Sequence, residues 1–154
     1  MKKVLIIVPK LSNGGIEKIA SNFSMNLSDD IEQCVYSIMP QDKAYPFKVN
    51  PISLDVDISG NYIGKLYVFC RRVFLLRKLV KKNDIDTCIS FGERCNIINL
   101  ISGSRPNKVI TIHSLISVEN NAKGILGKIG GFLSKVLYRK AEQIVCVSEA
   151  VAED

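Results

Sequence analysis

A mainly parallel sheet wound on both faces by helices is the fold class that this 154-residue sequence predicts. Three observations predict it. Apolar runs of strand length alternate with longer stretches of helical periodicity; the strands, beginning with Val4-Leu5-Ile6-Ile7-Val8, are continuously apolar; and clusters of glycine, proline, asparagine and serine punctuate the joints. A strand covered on both faces has no polar side to show, so continuous apolar strands mark a parallel sheet flanked by helices.

The first strand covers residues 3–8 and stops at Pro9-Lys10. Met1-Lys2-Lys3 ahead of it resembles the opening of a signal peptide, but the apolar run is short and no small-residue cleavage site follows. Ser12-Asn13-Gly14-Gly15 makes a loop, and the periodicity then predicts a helix near residues 15–28. Strands are expected at Gln33–Ile38 and Ile52–Leu54, with a loop from Pro40 to Pro51 between them. A loop over Asp57–Gly60 leads into a long helix near residues 62–82, followed by a strand at Thr87–Ser90 and a helix near residues 94–102. Ser104-Arg105-Pro106-Asn107 turns the chain into a strand at Lys108–Ile112, then a helical stretch near residues 125–140 and a last strand at Gln143–Val147. The sum is a Rossmann-like, doubly wound α/β domain, and the length fits one such domain with a core of its own.

Composition narrows the class. With 47% hydrophobic and 23% charged residues and no tryptophan, the chain is neither disordered nor fibrous. No segment reaches the roughly 18 uninterrupted apolar residues of a spanning helix. The five cysteines, Cys34, Cys70, Cys88, Cys95 and Cys146, form an odd set without a C-x-x-C pair and sit mostly in apolar runs, which points to reduced thiols rather than a disulfide framework or zinc site. The expected compartment is the cytoplasm.

Ligands of open parallel sheets bind beyond the carboxyl ends of the strands, so the loops there carry the chemistry. After the first strand, Gly14 and Gly15 open a helix. They let a backbone approach a phosphate, or they simply soften a strand-to-helix turn. The pattern is neither G-x-G-x-x-G nor G-x-x-x-x-G-K-[ST], which disfavours a nicotinamide dehydrogenase and a P-loop enzyme. Further on the chain reads Ser90-Phe91-Gly92-Glu93-Arg94-Cys95-Asn96, and later Thr111-Ile112-His113-Ser114. His113, the single histidine, stands where a ring acts on a sugar hydroxyl or phosphate, or serves the structure alone. Ser90, Glu93, Arg94 and Asn96 equally suit helix capping and a solvated surface.

The ordered set GGIEK, SFGERCN, TIHS and closing IVCVSEAVAED resembles the N-terminal domain of the family 4 glycosyltransferases, retaining enzymes of the GT-B fold. The resemblance covers essentially the whole chain. It implies transfer of a sugar from a nucleotide diphosphate sugar to an acceptor hydroxyl, with no cofactor and no obligatory metal. It also implies roles: Gly14, Gly15 and Glu17 toward the donor diphosphate, His113 near the reacting sugar as the catalytic residue, and Glu93, Arg94 and Asn96 on the acceptor side. The family often has an acidic residue after the histidine, where this chain has Ser114. Members carry a second, donor-binding domain with an E-x7-E pair; that spacing does not occur here, so the 154 residues are expected to be the acceptor-side half. Such a chain alone is expected to be inactive.

Charge suggests the place of work. The net charge is +6, yet Ser59 to Asn83 holds seven basic and no acidic residues, Asn120 to Ala141 holds five and none, and the remainder is 9 minus 15, or −6. In the first segment basic residues alternate with apolar ones, and Val68, Leu75 and Leu79 lie away from the Phe69-Val73-Leu76-Val80 stripe. A basic amphipathic helix of this kind lies on anionic lipid, or is a core helix with a solvated basic edge. The second segment, around Lys123 to Leu133, is glycine-rich, apolar and basic, suited to ordering on lipid or a lipid-linked acceptor. The expected partners are therefore a nucleotide sugar bound together with the second domain, a lipid-linked or glycan acceptor, and the anionic inner face of the plasma membrane. Nucleic acid is not expected, for want of a zinc-finger, RRM-like or recognition-helix signature. The alternatives are a non-catalytic or nucleotide-binding module of the same fold, or a basic domain that binds membrane or nucleic acid.

Overall fold

The computed structural model describes residues 1–39, 45–53, 62–103, 106–115 and 134–153. The expected loop at Asp57–Gly60 and the glycine-rich stretch from Lys123 to Leu133 lie outside them.

Six strands form one sheet in the order β3-β2-β1-β4-β5-β6, every pair parallel. They are β1 (Lys2–Val8), β2 (Ile31–Ser37), β3 (Ile52–Ser53), β4 (Thr87–Phe91), β5 (Asn107–Ile112) and β6 (Gln143–Cys146). Helices α1 (Gly15–Asn26), α2 (Tyr62–Asn83), α3 (Glu93–Ile101), α4 (residues 134–138) and α5 (Glu149–Glu153) complete the described elements. All six expected strands are present, with ends shifted by one or two residues. Between β1 and β4 the spatial order reverses direction, and such a switch point opens a crevice at the carboxyl ends of the two strands.

The continuous apolar run of β1 is explained by two cores. Val4, Ile6 and Val8 pack with Leu11, Ala20 and Phe91 on the α1 side, while Leu5 and Ile7 pack with Tyr36, Val73, Leu76 and Cys95 on the side of α2 and α3. The period of two in a strand sends alternate side chains to opposite faces, and here both faces are covered. A third cluster joins Ile110 of β5 to Leu100 of α3 and to Leu137 and Tyr138 of α4.

Helix α2 is covered on two sides, by the sheet and by α3, which changes the reading of its faces. Val68 is only 5% exposed and Leu79 packs against the core, so neither supplies an outer apolar surface; Leu75 is half-buried. The exposed apolar residues are instead Ile63, Leu66, Tyr67 and Phe74. Leu66 and Tyr67 lie three and four residues after Ile63, and Phe74 lies seven, about two turns, after Tyr67, which gives a second stripe along the outer face, set among the exposed Lys65, Arg71 and Lys78. No helix among the described residues is long and apolar enough to cross a membrane. The five cysteines are free thiols; Cys88 and Cys95 are buried, whereas Cys70 is exposed on α2 rather than packed.

Candidate functional site

The switch point is occupied by a depression of about 240 Å³. Pro9 from the end of β1, Gly92, Glu93, Arg94 and Asn96 from the β4–α3 turn, Ile112, His113 and Ser114 from the end of β5, and Tyr138 of α4 line it. The structure therefore brings Glu93, Arg94, Asn96 and His113 together. Gly14 and Gly15 stop one residue short of the lining, to which the α1 N-terminus contributes Ile16.

The turn from β4 into α3 depends on Gly92, whose φ of 86° is a conformation that L side chains rarely adopt. It lets α3 start directly after Phe91, which places Glu93 in the first helical turn, where a carboxylate suits the positive end of the helix dipole. Ser134 of α4 donates a hydrogen bond to Glu93 Oε1 at 3.3 Å. Arg94, one residue on, is exposed on the rim.

Asn96 is 1% exposed, and its amide is committed to the fold. Ser90 Oγ donates to Asn96 Oδ1 at 2.7 Å, and Asn96 Nδ2 donates to the Thr111 carbonyl at 2.9 Å. Its side chain thus clamps α3 to β4 and β5, and only its edge reaches the depression. One turn along α3, Asn99 Nδ2 donates to Ser90 Oγ at 3.2 Å, and Lys108 Nζ donates to Asn99 and to Ser102 Oγ. Burial lowers the pKa of Lys108 to about 8.

His113 is held by a chain of hydrogen bonds and by stacking. Its ring lies on Phe91, centroids 5.9 Å apart and planes within 26°. Nε2 is 2.7 Å from Thr111 Oγ1, and Thr111 Oγ1 donates to the Ser90 carbonyl at 2.9 Å. A hydroxyl has one proton, and the carbonyl can only accept, so Nε2 must carry the hydrogen that reaches Thr111. The ring is then the Nε2–H tautomer, and Nδ1, which is buried without a hydrogen-bond partner among the described residues, holds a lone pair. The opposite tautomer would bury an N–H with nothing to accept it, the costlier arrangement. Burial also lowers the histidine's pKa, so the ring is neutral near pH 7.

At the α1 N-terminus the geometry differs from the expected phosphate cradle. Gly14 is the N-cap, extended at φ −150°, with no side-chain cap bond. Glu17, three residues on and 4% exposed, folds its carboxylate back against Gly14, where a Cβ on residue 14 would collide with it. A carboxylate at this position already complements the free N–H groups and dipole of the first turn. Glu17 is therefore placed to hold the loop, and the side of the helix end left open is that of the exposed Gly15.

Thr111 and the Ser90 carbonyl, which orient the histidine, were not singled out by the sequence as site residues. Their signal is faint: a β-branched hydroxyl two residues before a histidine, and so on the same face of a strand. A second depression, of about 520 Å³, opens at the opposite ends of β5 and β6 beside Asn107, Lys108 and Glu142. Its cations serve the last turn of α3: Arg77 donates to the Ser102 carbonyl at 2.7 Å and to the Ile101 carbonyl at 3.1 Å. Among the described residues no group of three His, Cys, Asp or Glu side chains is placed to hold a metal ion.

No protein-family model matches the sequence, and no curated protein matches it. Among solved structures, the chain is similar to the UDP-GlcNAc 2-epimerase from Methanocaldococcus jannaschii, with a TM-score of 0.64 at 12% identity. The match covers 98% of this chain and 41% of the epimerase chain, so the 154 residues correspond to less than half of that protein. At this identity the likeness shows the fold: a Rossmann-like, all-parallel α/β unit of the GT-B-like kind.

Proposed function

We propose that the chain is the acceptor-side domain of a glycosyltransferase that works with a second, donor-binding domain and moves a hexosyl or N-acetylhexosaminyl group from a nucleotide diphosphate sugar to a lipid-linked glycan acceptor. The observation that carries the reading is the convergence of Glu93, Arg94 and His113 on the crevice between β1, β4 and β5. The fold shared with an enzyme named for a nucleotide sugar supports it.

In this reading the bond from the sugar's anomeric carbon to the diphosphate breaks and a bond to the acceptor oxygen forms, the acceptor's proton leaving with the diphosphate. The charge that develops on the diphosphate is stabilised by fixed dipoles and cations, here the open Gly15 side of the α1 N-terminus and Arg94. His113, neutral and stacked on Phe91, lines the crevice with an uncharged polar ring, which suits a sugar better than an anionic phosphate. The exposed stripe of α2 and its basic neighbours hold the domain on the cytoplasmic face of the membrane, where a lipid-linked acceptor resides.

A second reading, sugar-nucleotide isomerisation without transfer, is favoured only by the identity of the structural neighbour. Radiolabelled UDP- and GDP-sugars separate the two. The 154-residue chain and a two-domain form are each incubated with donor, with and without lipid-linked acceptor. Label moving to lipid in the two-domain form alone supports the proposal. Label leaving or rearranging in the donor without acceptor sinks transfer, and turnover by the 154-residue chain sinks the half-enzyme reading.

A further inference from the structure

Between α2 and α3, beside the end of β2, lies a depression of about 530 Å³ separate from the switch-point crevice. Lys65 and Arg72 of α2 and Arg94 of α3 bring three cationic side chains to it, and among the described residues no acidic one lines it. The rest of the wall is apolar, including Val68 and Ile98. Arg94 also lines the switch-point crevice, so it stands on the ridge between the two.

The Arg72 guanidinium is the informative group. Its Nε and Nη2 are buried and make no hydrogen bond among the described residues, and neither Arg72 nor Arg94 forms an ion pair there. The buried Tyr36 hydroxyl of β2 is also without a hydrogen-bond partner among the described residues. Burial raises the phenol's pKa, while Arg72 acts in the opposite sense; the pKa of Arg72 is lowered by burial first, with the like charge of Arg94 adding to it. A buried guanidinium that has no counter-charge among the described residues and shares a depression with a second one is an unfavourable arrangement for the fold by itself. A planar fork of N–H donors in one depression with a second guanidinium and an ammonium matches the oxygens of a phosphate.

We propose that this α2–α3 depression is a binding site for a phosphate group, held between Arg72 and Arg94 with Lys65 at the rim, and that its apolar wall accommodates a neighbouring apolar portion of the ligand. The proposal rests on the two unmet donors of Arg72 and on the cations beside it, and it needs no glycosyl transfer, although Arg94 lines both depressions. The phosphate belongs either to a lipid headgroup or to a soluble phosphate compound.

The test uses the whole chain with Arg72→Met, which keeps the apolar stem and removes the fork, and Arg71→Gln, which removes an exposed cation one residue away. Inorganic pyrophosphate is titrated by amide shift perturbation, and vesicles of phosphatidic acid are compared with vesicles of phosphatidylcholine. We expect R72M to weaken binding by about tenfold or more in at least one arm while R71Q has a smaller effect there. An effect in the pyrophosphate arm assigns a soluble source, and an effect confined to phosphatidic acid assigns a lipid. Without any anion, the Tm of R72M is expected to equal or exceed that of the parent, because the buried charge is uncompensated. Loss of binding no greater in R72M than in R71Q in both arms overturns the site. A lowered Tm of R72M in the absence of anion makes the guanidinium a structural element and overturns it as well.

Discussion

Thr111 Oγ1 lies 2.7 Å from His113 Nε2 and gives its own proton to the Ser90 carbonyl, so a single threonine decides which nitrogen of the only histidine carries hydrogen. The proton count makes the tautomer a property of the β4–β5 pairing. Because there is one histidine, its ring nitrogens are observable without assignment. Long-range 1H–15N correlation at pH 7 should show a neutral Nε2–H ring, and Thr111→Val should lose that preference.

The same burial sets a pH dependence. The folded pKa of His113 is lowered from the ordinary value of 6.5, so the unfolded chain binds its proton first as pH falls. The histidine's contribution to stability is then fully present above pH 6.5 and is lost as pH falls through the folded pKa. Glu93 and Arg94 share the depression with the ring, and the shift is to be followed with both in place. Urea denaturation from pH 7.5 to 5 should show a decline that His113→Asn makes shallower; equal slopes would contradict the assignment.

Asn96 is expected to matter to the fold before it matters to any ligand. Removing its amide takes from Ser90 Oγ the acceptor of its 2.7 Å bond and from the Thr111 carbonyl its side-chain donor, at about 1 to 3 kcal/mol for each buried group. Asn96→Asp should be worse than Asn96→Ala, since a carboxylate faces the Thr111 carbonyl that the amide NH2 now satisfies. Chemical denaturation of the two variants orders them, and an aspartate variant as stable as the parent would refute the clamp.

Gly14 and Glu17 should behave as a coupled pair. The backbone at Gly14 is extended and open to any residue, so the cost of Gly14→Ala comes from the collision with the Glu17 carboxylate rather than from strain. Shortening the acid relieves it. In a double-mutant cycle with Glu17→Ala, a coupling of about 0.5 to 3 kcal/mol is expected. Additive losses would show that the carboxylate has room to move away.

The outer stripe of α2 offers a membrane test independent of catalysis. Ile63, Leu66, Tyr67 and Phe74 are exposed beside Arg71 and Lys78, and each basic residue near an anionic surface contributes about 1 kcal/mol. The chain should sediment with phosphatidylglycerol vesicles and not with neutral ones. Phe74→Glu combined with Lys78→Gln should release it, and equal recovery in the supernatant with both lipids would defeat peripheral attachment.

What the sequence determined by itself is the set of elements and the loops that bear the chemistry. Burial on both faces of a parallel strand leaves its mark in local composition, so Val4 to Val8 and Lys108 to Ile112 were legible as strands. The carboxyl ends of the strands expected at Thr87–Ser90 and Lys108–Ile112 then located Glu93, Arg94 and His113. Only the tertiary structure decided what those side chains touch. Asn96, in a motif read as acceptor-facing, turns inward because α3 needs a polar bridge to β4 and β5. Glu17 folds onto Gly14 because the helix end lacks another cap. The second flank of α2 is likewise a tertiary matter: Val68 is buried and Phe74 is left outside, and two donors of Arg72 are buried without a partner among the described residues. Periodicity reports which side of an element is apolar, but hydrogen bonds and uncompensated charges arise between residues distant in the chain, where no local pattern records them.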